Sequence, residues 1–85
     1  MSADNGVFVL QSQGLCEHEE FRVAHRLGFV NSMLEDDDAL KEIFGKSPVF
    51  KIFSESLEYA QNMADDFYPV EYGIIDLKIN RGFPS

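Results

Sequence analysis

The chain has no tryptophan, one cysteine, three prolines and only seven Lys and Arg. Each shortage removes a class of protein. A single Cys16 cannot form an intramolecular disulfide, so the disulfide-stapled secreted domains are excluded. No apolar run approaches the ~20 residues of a membrane span. The opening MSADNG lacks the basic flank and apolar core of a signal peptide, and a cytoplasmic protein is expected. The six glycines are scattered singly, so no phosphate-cradling loop is present, and there is no G-x-S-x-G nucleophile motif. Basic residues are outnumbered by fifteen Asp and Glu, for a net charge of −8. Phosphate binding is driven by Lys and Arg that displace counterions, so direct nucleic-acid binding is disfavoured, and so is an anionic membrane.

What remains is rich in large apolar groups. Apolar residues make up 45% of the 85, and eight of them are Phe. That composition builds a core and speaks against intrinsic disorder. Eighty-five residues allow one small domain, of modest stability because so short a chain buries a modest share of its surface.

The apolar spacing predicts the elements. GVFVLQ at 6–11 is β-branched and aromatic, with Val7 and Val9 on one face and Phe8 and Leu10 on the other. Two apolar faces mark a strand that is central or covered on both sides. SQGLCEH at 12–18 reads as a turn, and EEFRVAH at 19–25 as the returning strand of a hairpin. Leu27, Val30, Met33 and Leu34 have helical spacing over about 25–35, although Gly28 lies inside it; Leu40, Ile43 and Phe44 give a second helix over about 38–44, stopped at Gly45. PVFKIF at 48–53 reads as a strand with Pro48 at its first position. Ser54 then caps a helix whose apolar face is Leu57, Ala60, Ala64 and Phe67 and which Tyr68-Pro69 ends. The last strand is 71–80, with Ile75, Leu77 and Ile79 opposed to Asp76 and Lys78 and a bulge expected at Gly73. Residues 1–5 and 81–85 read as loose tails. The sum is a two-layer α+β domain: a mixed four-stranded sheet, made of a hairpin and a 48–80 strand–helix–strand crossover, with helices on one face.

Chemistry-bearing constellations are few. Cys16-Glu17-His18 with His25 supplies too few N and S ligands for zinc, and an ordinary polar turn accounts for them. Glu35-Asp36-Asp37-Asp38 lacks the alternating ligands and central Gly of a calcium loop. The last of the four, Asp38, is expected to cap the 38–44 helix; the other three read either as a polar connector or as a patch that recognises basic side chains. Glu55 and Glu58 share a helix face, and Asp65 and Asp66 stand at that helix's C-terminus, where acids oppose the dipole. The strand aromatics Phe8, Phe21, Phe50, Phe53 and Tyr72 lack the Lys and Arg frame of an RNA-stacking sheet and read as core.

EFRVAH at 20–25 before a helix, SPVF at 47–50 before an Ala-bearing helix, and VEYGI at 70–74 with a closing FP at 83–84 together resemble small acidic proteins of tailed bacteriophages whose function is uncharacterised. The resemblance spans most of the chain and carries no functional residues. It implies a context in which small acidic proteins bind and disable host or defence proteins.

The sequence thus predicts a non-enzymatic binding protein without cofactor. It would act as a nucleic-acid mimic, setting carboxylates against the basic surface of a larger protein. Glu35, Asp36, Asp37 and Asp38 are the first candidates for contact, with Glu55, Glu58, Asp65 and Asp66 beside them. The alternative is a self-associating accessory module, a homodimer paired through the second or last strand. A small metal protein or enzyme is the third reading.

Overall fold

A nine-residue strand runs through the middle of the molecule: β1, Asn5–Gln13, uncharged along its whole length. The structure, a computed structural model, describes residues 5–14 and 18–84. β2 (Glu19–Leu27) pairs antiparallel to β1, and β3 (Ile74–Gly82) pairs parallel to it, so the sheet order is β2-β1-β3. A short 3-10 helix (Asn31–Glu35), then α1 (Asp37–Phe44) and α2 (Phe53–Asp66), fill the connection from β2 to β3.

The α+β class is as the sequence predicts. The sheet, however, has three strands rather than four. PVFKIF does not form a strand: only Phe50 reaches the sheet, exchanging both backbone hydrogen bonds with Phe21 at 2.8 and 2.9 Å. Pro48 has no N–H to give, and α2 already begins at Phe53, which leaves no length for a ladder. α2 therefore starts one residue before Ser54, and its N-cap is Ile52, without a side-chain cap. The parallel pair is β1–β3, not the ends of a 48–80 unit.

The helices also lie on both faces of the sheet, not on one. Phe8 and Leu10 point toward α1 and form a core with Ala24, Leu40, Phe44 and Ile79. Val7 and Val9 point toward α2 and form a second core with Phe21, Val23 and Ala60. The alternation of a strand puts successive side chains on opposite faces, so a strand apolar at every position needs cover on both. β1 is such a strand.

Two further expectations change. The helix over about 25–35 is absent: β2 continues to Leu27, Gly28 turns the chain with φ +68°, and only a 3-10 turn follows. A left-handed residue cannot lie within a right-handed helix. At the other end, Gly73 takes φ +66° just before β3 and turns the chain into the strand, whereas the ladder's irregularity lies further on, opposite Gln11 and Gln13. Nor are the tails loose at 5 and at 81–84. Asn5 opens β1, Arg81 and Gly82 belong to β3, and the Arg22 guanidinium sits 3.9 Å above the Phe83 ring.

Candidate interaction surface

The acidic run lies on the α1 side of the sheet, and most of it has a local task. Asp36 is the N-cap of α1, its Oδ1 accepting from the N–H groups of Asp38 (3.0 Å) and Ala39 (3.3 Å). Asp37 takes an ion pair from Arg81 at 3.0 Å, and the same guanidinium nitrogen donates to the Leu34 carbonyl at 2.7 Å. That pair ties the end of β3 to the start of α1. Asp38 stands 4.0 Å from Lys41, one turn along. Both Asp37 and Asp38 lie in the first turn, where a helix favours negative charge. Glu35 is exposed at the end of the 3-10 helix.

The α2 acids are placed differently. α2 carries Glu55, Glu58, Asp65 and Asp66 and no basic residue. Ser56 and Ala60 are its buried positions, and the 3.6-residue turn puts Glu55, Glu58, Asn62, Asp65 and Asp66 on the opposite side, all exposed. None of the four carboxylates forms an ion pair with a described residue. Glu55 has a favourable place in the first turn, while Asp65 and Asp66 face the negative end of the helix, which no basic side chain offsets.

The eight acids therefore do not form one patch. Those at 35–38 stand on the α1 face and those of α2 on the other.

Sequence reasoning missed the aromatic groups around α2. Phe53, Tyr59, Phe67 and Tyr68 are all exposed, Tyr68 at 82%. Phe53 meets Phe21 edge-on at 5.5 Å, Tyr59 leans on Phe50 at 5.3 Å, and Phe67 stacks flat on His25 at 4.1 Å. Phe53, Tyr59 and Phe67 each rest on a partner ring and leave surface open. Aromatic residues at both ends of a helix bearing only acids are the signal that would have found them. A cleft of about 360 Å³ adjoins the start of α2, with Val9, Phe21 and Phe53 as its apolar wall and Glu19 and Asp76 at its edge.

Behind the far end of α2 lies a polar knot. Buried Asn5 accepts from the Glu71 N–H through Oδ1 at 2.8 Å, and its Nδ2 contacts the Pro69 carbonyl at 3.3 Å and His25 Nε2 at 3.2 Å. The Glu71 bond fixes which way the amide points, so the NH2 donates to both remaining partners and His25 Nε2 accepts. His25 is thereby set in register with Phe67.

Among the described residues no three His, Cys, Asp or Glu side chains come together as a metal site; Cys16 and Glu17 lie outside those residues. Among the described residues no helix is long and apolar enough to cross a membrane. No protein-family model, no curated protein and no solved structure matches this chain.

Proposed function

We propose that this chain is a non-enzymatic binding protein that sets an acidic helix against a basic surface of a larger protein. The observation that carries the reading is the outward side of α2: four carboxylates, no cation on the helix, and no described ion pair that uses them. Charge of one sign along a helix steers a basic partner and fixes its orientation. The exposed rings of Phe53, Tyr59, Phe67 and Tyr68 supply the apolar anchors that give an interface its affinity. The run at 35–38 takes second place, because Asp36, Asp37 and Asp38 already serve the cap, Arg81 and Lys41.

The resemblance to phage proteins supports a host or defence protein as that partner, among them one that handles nucleic acid and so carries a basic groove. Binding then modulates or inhibits it from within the host cytoplasm. The test is capture from a bacterial lysate with this chain as bait, washed at low and at high salt. A basic protein held at low salt and shed at high salt agrees with the proposal. A partner indifferent to salt overturns it, since screening weakens exposed charge pairs beyond about 10 Å at 0.1 M. Self-association is a second reading, favoured by the open edge of β3.

A further inference from the structure

The two outer edges of the sheet differ. On β2, Phe21 exchanges both backbone bonds with Phe50, and the Val23 N–H donates to Ser47 Oγ at 2.8 Å. That edge is covered at Phe21 and Val23. β3 is the other edge. Val7 N–H donates to the Gly73 carbonyl at 2.9 Å, which sets the phase of the parallel ladder. Odd-numbered residues from Gly73 to Leu77 turn their peptide groups toward β1, so Ile74, Asp76 and Lys78 turn theirs outward. No described residue hydrogen-bonds to that outward row.

An open edge is an invitation to another strand, and charged side chains usually discourage it. Here the charges read differently. The segment Ile75-Asp76-Leu77-Lys78-Ile79 is a palindrome in chemical type about Leu77. Laid antiparallel on a second copy with a two-fold axis at Leu77, Asp76 stands opposite the partner's Lys78, and Lys78 opposite the partner's Asp76. Ile75 meets the partner's Ile79, and Leu77 meets the partner's Leu77. The phase agrees as well: Asp76 and Lys78 carry the outward peptide groups, so they form the hydrogen-bonded pairs of the new ladder.

Two more observations favour a second copy here. Among the described elements β3 alone has more Lys and Arg than Asp and Glu, so it is where two chains of charge −8 approach with least repulsion. Asp76 and Lys78 are exposed and form no ion pair with a described residue. On the α1 face, Ile75 and Leu77 line an open apolar cleft of about 220 Å³ with Phe8, Phe29 and Tyr72, which the second copy's strand adjoins.

We infer that the chain forms a two-fold dimer by antiparallel pairing of β3 with β3 about Leu77, joining two three-stranded sheets into one. Side chains opposed across a ladder share a face, so the axis stands perpendicular to the sheet and both α2 helices lie on the same side. The inference does not depend on what the acidic face binds.

Sedimentation equilibrium over a range of concentrations tests it, with Lys78→Asp and the double exchange Asp76→Lys/Lys78→Asp beside the unaltered chain. Both positions are exposed, and circular dichroism checks that each variant folds. The expected result is a concentration-dependent dimer, a dissociation constant raised about tenfold in Lys78→Asp, where two like pairs replace two opposite ones, and a return toward the original value in the double exchange. A chain that stays monomeric at the highest concentration overturns the inference. So does a dimer that Lys78→Asp leaves unchanged, or one that the double exchange fails to restore.

Discussion

Asn5 shows what a single residue does here and why its role was hidden. It lies in a stretch that reads as tail, yet its side chain holds Pro69, Glu71 and His25, and its carbonyl accepts from Tyr72 at 3.0 Å. Its side-chain partners are 20 to 66 residues away in sequence, so no local pattern announces it. Asn5→Ala leaves the Pro69 carbonyl and the Glu71 N–H without their partner, and chemical denaturation should show a loss of about 1–3 kcal/mol. Within the acidic run, the residues separate by task. Asp36→Ala removes the α1 cap and should lower stability by about 1 kcal/mol. Glu35→Gln, at an exposed position with no such task, should leave the denaturation midpoint within error of the original. Equal effects at the two positions would refute the assignment of the cap to Asp36.

Elements were legible where the apolar pattern was long and failed where a backbone demand intervened. β1 and β2 and the stop of α1 follow directly from spacing, whereas α1 begins at Asp37 and is capped by Asp36 rather than Asp38. So does the double-sided burial of β1, although placing both helices on one face ignores what that pattern requires. Leu27, Val30, Met33 and Leu34 imitate a helix because apolar side chains in a turn can recur at three and four residues. Gly28, with φ +68°, decides against it. Gly28→Ala puts a Cβ into the left-handed region and should cost about 1 kcal/mol, although no atom lies within 4 Å of the added carbon. The same scale governs α1, whose hold on the sheet is Leu40 and Phe44, both fully buried. Phe44→Ala should cost about 3–5 kcal/mol, enough to unfold much of so small a domain, and thermal melting monitored by circular dichroism will show it.

At the scale of the whole molecule, net charge was readable from composition but its layout was not. Eight acids count as one patch only while the sheet has helices on one face. With α1 and α2 on opposite faces, Asp36, Asp37 and Asp38 are engaged in capping and ion pairing, and α2 presents the unpaired set. The most direct measurement compares three baits in the same bacterial lysate at low salt: the unaltered chain; a variant with Glu55→Gln, Glu58→Gln, Asp65→Asn and Asp66→Asn; and one with Asp37→Asn and Asp38→Asn. A basic protein is expected on the first and third baits and absent from the second, with all three folded. If the second bait retains that protein as well as the first, α2 is not the binding face.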